Sequence, residues 1–294
     1  MTVVLETIPA ARRWVRAERS AGQTVGFVPT MGAFHEGHLS LFRRARARCA
    51  RVMVSVFVNP LQFGPGEDFE RYPRDFSRNL ALAEQEGVDA IFHPDAKEMY
   101  PEPQVITVDP GPLGQLLCGR SRPGHFPGVA TVVAKLLNIL EPDRVFFGQK
   151  DAQQAVIIER MIGELGFPVE MEVCPTVREP DGLALSSRNA YLSPEERARA
   201  TVLYRSLCQA ATLIRSGIRD VPRVEREMRE LIAAIPGADL DYASVVDRRT
   251  LEGVSTIDRE VLIAVAVRFG KTRLIDNIVL DVKDEQVREI PAIS

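Results

Sequence analysis

Runs of consecutive apolar residues, VMVSVFV at 52–58 foremost, alternate over the first 176 positions with segments whose apolar residues recur every three to four places. A run that is apolar on both faces suits a strand covered by helices above and below, so the alternation predicts a parallel sheet. Strands are expected at 24–28, 52–58, 88–92, 105–108, 144–147 and 169–173, with amphipathic helices at 38–50, 75–87, 129–140 and 151–166. The fold class that follows is α/β, an open doubly wound sheet with ligands beyond the carboxyl ends of its strands.

The pattern changes after residue 176. Ser193-Pro194-Glu195-Glu196 puts Ser at the N-cap, Pro at the first helical position and Glu at the third, a capping box that opens a long helix to about 216. A second helix is expected at 222–235, followed by strands at 242–246, 261–267 and 272–282, with Phe269-Gly270-Lys271 in a hairpin connection. Helices followed by a meander predict a smaller α+β domain with an antiparallel sheet. The expected division is therefore 1–176 and 177–294.

Composition narrows the function classes. The 294 residues are 45% hydrophobic and 26% charged, the balance of an ordinary globular chain rather than a disordered one. A net charge of -3 leaves no basic footprint for nucleic acid, and the run Arg43, Arg44, Arg46, Arg48, Arg51 reads as a solvated helix face. No apolar stretch approaches the ~20 residues that span a bilayer, and MTVVLETIPAARRW lacks the layout of a signal peptide. The expectation is a cytoplasmic protein without membrane or nucleic-acid partners. Cys49, Cys118, Cys174 and Cys208 are scattered, without a Cys-x-x-Cys pair, and read as packing residues.

Four blocks carry candidate chemistry. In FVPTMGAFHEGHLSLFRRA a strand runs into a turn and then a helix, with His35-Glu36-Gly37-His38 at the helix start. Metal ligation, acid–base work and a phosphate cradle are all open to two histidines. A zinc helix needs its histidines four apart, whereas backbone N–H groups at a helix start favour an anion. Neither a Walker A pattern nor Gly-x-Gly-x-x-Gly occurs. In FFGQKDAQQ a strand ends at Gly148 and Lys150 follows, placed for a phosphate on the same sheet edge. In REPDGLALSSRN, at the domain boundary, Ser186, Ser187 and Arg188 offer two hydroxyls and a guanidinium fork, although a plain polar linker would look similar. In FVNPLQFG, Asn59 and Gln62 each present donor and acceptor groups to a small polar ligand, or simply satisfy a turn.

Together with RPGHFPGVATVVAKL, these blocks resemble the pantothenate synthetase (pantoate–β-alanine ligase) family of nucleotidyl transferases with a His-x-Gly-His motif. The resemblance implies a Rossmann-like N-terminal domain binding ATP and pantoate, a C-terminal lid, and condensation of pantoate with β-alanine through a pantoyl adenylate, releasing pyrophosphate and AMP. It implies ATP contacts at Met31, Gly32, Ala33, Phe34, His35, Glu36, Gly37, His38, Gly148, Gln149, Lys150, Asp151, Val177, Leu185, Ser186, Ser187 and Arg188. His38 matches the family's proton donor, with His35, Lys150 and Arg188 in the catalytic set, and Gln62 and Gln154 match its pantoate contacts. Ser186, Ser187 and Arg188 occupy the place of the mobile loop in related synthetases. The family also implies a homodimer. The acidic residues that some members carry after Tyr-Pro-Arg are replaced here by Asp75-Phe76-Ser77-Arg78-Asn79-Leu80, so magnesium is expected with ATP and no protein metal site is carried over. Two rivals keep the histidine block: a nucleotidyl transferase with another acceptor, and a non-catalytic nucleotide-binding regulator.

Overall fold

The computed structural model describes residues 1–283 and 286–292. Along the chain lie β1 (Val3–Leu5), α1 (Ile8–Ser20), β2 (Val25–Thr30), α2 (Glu36–Arg48), β3 (Arg51–Val56), α3 (Phe76–Gln85), β4 (Ala90–Phe92), α4 (Ala96–Met99), α5 (Cys118–Ser121), α6 (His125–Leu140), β5 (Arg144–Gly148), α7 (Ala152–Glu164) and β6 (Glu170–Cys174). Then follow α8 (Pro194–Arg199), α9 (Val202–Arg215), α10 (Val221–Ala233), β7 (Ala238–Asp247), β8 (Val261–Phe269), β9 (Thr272–Lys283) and β10 (Gln286–Ile290). Contacts divide the chain into two compact units. The first is Met1–Gln115, Arg122–Gly148 and Ile157–Cys174, and the second is Leu116–Ser121, Gln149–Val156 and the remainder from Pro175. The division is not a single cut: two short pieces, one of them holding Lys150, count with the C-terminal unit.

In the first unit six parallel strands lie in the order β1-β4-β3-β2-β5-β6. Phe27 of β2 pairs with Met53 of β3 on one side and Val145 of β5 on the other. From β2 the chain steps outward through β3 and β4, then returns across β2 to β5 and β6. The order therefore reverses between β2 and β5, and the carboxyl ends of those two strands border the crevice where open α/β sheets bind ligands. Burial on both faces explains the unbroken apolar runs: Phe27, Met53, Ile91 and Phe146 are fully buried.

The second unit carries an antiparallel sheet in the order β10-β9-β8-β7. The β8–β9 hairpin turns through Gly270 and Lys271, and Gly270 supplies the positive φ of 54° that the tight turn needs. One face of this sheet packs Val245, Ile263, Val265 and Ile278 against Leu207, Ile214, Met228 and Ile232 of α9 and α10.

Several expected elements differ. Residues 105–108 form no strand, because prolines at 101, 103 and 110 remove ladder donors around them and Val105 and Ile106 stand exposed. The helix expected from 193 to 216 opens on its capping box, with Glu196 N–H donating to Ser193 Oγ at 3.2 Å. It then breaks between α8 and α9, where the Thr201 hydroxyl donates back to Ala198 O at 2.9 Å and competes with the regular ladder. The short edge strands β1 and β10 were not expected from the pattern. Among the described residues no helix is long and apolar enough to cross a membrane.

Candidate active site

The histidine block is built by its own backbone. At the end of β2 the Thr30 hydroxyl donates to Ser55 O at 2.6 Å and accepts from Gly32 N–H at 3.1 Å, so the chain turns there. Gly32 and Ala33 take positive φ values of 90° and 52°. Buried Asn79 of α3 accepts from Phe34 N–H at 3.1 Å, and a Cβ added to Gly32 would come 2.9 Å from Asn79 Nδ2. Glycine is required there by both conformation and space.

His35 is the N-cap of α2, and its Nδ1 accepts from Gly37 N–H at 3.2 Å. His38 Nδ1 in turn accepts from His35 N–H at 3.4 Å, so the two rings, 4.2 Å apart, form a reciprocal capping box made of histidines. An Nδ1 that accepts leaves the neutral ring's proton on Nε2, which assigns both rings as Nε2 donors at an electropositive helix start. Glu36 heads the helix, and its carboxylate pairs with Arg43, which also pairs with Glu86.

Gln62 lies in a one-turn 3-10 helix, Pro60–Gln62, after β3. Its Nε2 donates to Met31 Sδ at 3.0 Å and its Oε1 accepts from Asn59 Nδ2 at 3.1 Å, which joins the FVNPLQFG block to the histidine loop. Its backbone carbonyl accepts from His125 Nδ1 at 2.8 Å, and Arg122 donates to His125 Nε2 at 2.9 Å. Arg122 forms an ion pair with Glu67 at 2.6 Å. Burial would push the Glu67 carboxyl up, but the hydrogen bonds and charge of Arg122 outweigh it and hold the group below its ordinary value. Helix α6 fits against this turn only because position 128 is glycine: a Cβ there would meet Leu61 O at 2.2 Å.

In the C-terminal unit, Gln149, Lys150 and Asp151 form one 3-10 turn directly after β5. The buried side chain of Asn277 on β9 donates to Gln149 O at 3.0 Å and Lys150 O at 2.9 Å, and accepts from Gln149 Nε2 at 2.7 Å. Beside it, buried Asp276 takes a two-pronged ion pair from Arg178, with contacts of 2.6 and 3.0 Å. Burial pushes the Asp276 carboxyl up, against the opposing charges of Arg178 and Lys150. Arg178 also lies over the Tyr204 ring at 4.0 Å and opens a narrow hairpin in which Leu185 N–H donates to Val177 O. Ser186 caps the turn Ser187–Tyr191 by accepting from Arg188 N–H at 3.3 Å. On α7, Gln154 is half-buried, while its neighbour Gln153 is buried and holds Cys118 N–H and Leu116 O.

The structure thus joins Met31, His35, His38 and Gln62 in one unit and ties Gln149 and Lys150 to Asn277 in the other. Asn79, Glu67, Asp276 and Asn277 were not among the expected site residues. Asp276 and Asn277 did leave a signal, as two adjacent polar residues inside the apolar run LIDNIVL. Among the described residues no group of three or more His, Cys, Asp or Glu side chains is arranged to hold a metal ion.

The family model described as pantoate-beta-alanine ligase matches residues 3–279. A pantothenate synthetase of Heliobacterium modesticaldum is 56% identical over 279 residues, covering 95% of this chain and 99% of the relative. The crystal structure of pantothenate synthetase from Thermus thermophilus superposes with a TM-score of 0.90 at 48% identity, covering 96% of this chain and all of that one. A pantoate-beta-alanine ligase from Francisella tularensis, complexed with beta-gamma ATP and beta-alanine, gives 0.78 at 32% identity over 94% of this chain and 97% of that one. The chain belongs to the pantoate–β-alanine ligase family.

Proposed function

We propose that the chain condenses pantoate with β-alanine, using ATP and passing through a pantoyl adenylate. A pantoate carboxylate oxygen attacks the α-phosphorus of ATP, and the bond to the β-phosphate oxygen breaks to release pyrophosphate. The β-alanine amine then attacks the acyl carbon, the acyl–oxygen bond breaks, AMP leaves, and the amine surrenders a proton. A carboxylate oxygen is a poor leaving group until it becomes part of a mixed anhydride with phosphate, so adenylation supplies what the second step needs. In-line phosphoryl transfer asks a protein mainly for positioning and charge stabilisation, and no protein nucleophile is required.

The observation that carries the reading is the reciprocal histidine cap at the reversal point of the sheet. With each Nδ1 occupied by a backbone donor, His35 and His38 present Nε2–H groups suited to phosphate oxygens. His38 is the proton donor in this reading, and Lys150 and Arg188 add positive charge. ATP contacts extend over Met31 to His38, Gly148 to Asp151, Val177 and Leu185 to Arg188, and Gln62 and Gln154 receive pantoate. Residues 1–176 bind ATP and pantoate, and 177–294 act as a lid. Magnesium accompanies ATP on its phosphates. The assembly is a cytoplasmic homodimer.

Pantoate labelled with oxygen-18 in its carboxylate tests the chemistry. An adenylate transfers one label to AMP, whereas an acyl phosphate would form ADP and place the label in inorganic phosphate. Pantoate alone is expected to release pyrophosphate. Release that occurs only with β-alanine present would overturn the two-step order.

A further inference from the structure

Asparagine and aspartate are poor strand formers, yet Asp276 and Asn277 sit side by side and buried in the middle of β9, between Ile275 and Ile278. Such a pair costs stability unless every polar atom finds a partner, which makes the partners informative. Both amide hydrogens of Asn277 are used on consecutive carbonyls, Gln149 O and Lys150 O, and its one oxygen accepts from Gln149 Nε2. The amide is aimed entirely at one short turn that lies 127 residues earlier in the chain. That turn is a single 3-10 loop between β5 and α7, with Asp151 Oδ1 3.9 Å from Lys150 Nζ. Asp276 adds a second tie: its bidentate pair with Arg178 anchors the start of the 177–185 hairpin to the same strand, and Arg178 also donates to Asn277 O at 3.3 Å.

We infer that Asn277 is the positioning residue for Lys150: it fixes the backbone from which the lysine ammonium reaches the reacting phosphate, and it acts on adenylation only through that lysine. The inference rests on the charge-stabilising role given to Lys150 above. A preorganised cation is effective because it needs no reorganisation as charge develops, so a loosened Lys150 backbone costs rate while leaving pantoate binding at Gln62 untouched.

The test is a double-mutant cycle on the first half-reaction, with single-turnover pyrophosphate release measured for the parent, Asn277→Ala, Lys150→Ala and the double variant. Asn277→Ala is expected to slow adenylation at least tenfold with the KM for pantoate changed less than twofold. The double variant is expected to match Lys150→Ala, with no further loss. Two independent, multiplying losses, or an unchanged rate in Asn277→Ala, would overturn the inference. An unchanged rate in Lys150→Ala would instead overturn the proposed role of the lysine. Circular dichroism and thermal unfolding report whether Asn277→Ala folds. If it does not, Asn277→Asp keeps the side chain's size and removes its two donors to Gln149 O and Lys150 O; it is then expected to slow adenylation and to add nothing to Lys150→Ala, and additive losses count against the inference.

Discussion

The histidine turn after β2 and the lysine turn after β5 both leave the carboxyl end of a parallel strand, yet they are held in opposite ways. His35 and His38 cap one another across three residues, within hydrogen bonds that any isolated strand-turn-helix of this sequence could form. The backbone carbonyl of Lys150 is instead held by Asn277, on a strand of the other sheet. A locally closed cap is specified by spacing alone. A turn pinned from far along the chain exists only once the C-terminal unit has folded, and it answers to changes in that unit.

The largest expected effect probes the lysine side. Lys150→Ala should slow pantoate-dependent pyrophosphate release by about a hundredfold or more, the loss typical of one preorganised transition-state donor. A normal single-turnover rate would remove the lysine from the chemistry and dissolve the comparison. On the histidine side, Gly32→Ala forces an alanine to a φ of 90° and brings its Cβ towards Asn79, so urea unfolding should show a loss of roughly 2 kcal/mol. Asn79→Ala should cost about 1–2 kcal/mol by leaving Phe34 N–H without its buried acceptor. If either change left stability untouched, the histidine loop would not be fixed as described.

A smaller effect concerns acid. Arg122 holds the Glu67 carboxyl below its ordinary value of 4.5 in the folded chain, so the folded state favours the ionised form more than the unfolded state does. That contribution is complete above 4.5 and is lost as pH falls through the lowered folded-state value. Arg122→Met should therefore flatten the acid limb of a stability profile, and an unchanged limb would discount the pair. The smallest effect on stability is expected for Glu36→Gln, which removes a half-exposed partner of Arg43 and should cost no more than about 1 kcal/mol in urea unfolding. A loss well above about 1 kcal/mol would mean that the Glu36 carboxylate does more for the fold than an exposed pair can.

Much of the fold was legible because its signals are local. The runs TVGFV at 24–28 and VMVSVFV at 52–58 marked the central strands, which the structure places at Val25–Thr30 and Arg51–Val56, and Ser193 with Glu196 opened a helix where the capping box says one opens. The run at 105–108 misled because apolar composition carries no information about ladder partners, which the flanking prolines deny it. The short strand β1 was hidden for the converse reason: three residues carry little pattern, and their strand character comes from pairing with β4.

For the site, the sequence by itself determined the pieces that interact within a few residues: the turn after β2 and the histidines at the helix start. Only the tertiary structure decided that Asn79 would support the histidine loop, that His125 would hold the Gln62 carbonyl, and that Lys150 would be counted with the C-terminal unit through Asn277. The reason is physical. Spacing along a helix or turn fixes which neighbours meet, but a hydrogen bond between residues more than forty positions apart depends on how whole elements pack, and no local pattern records it.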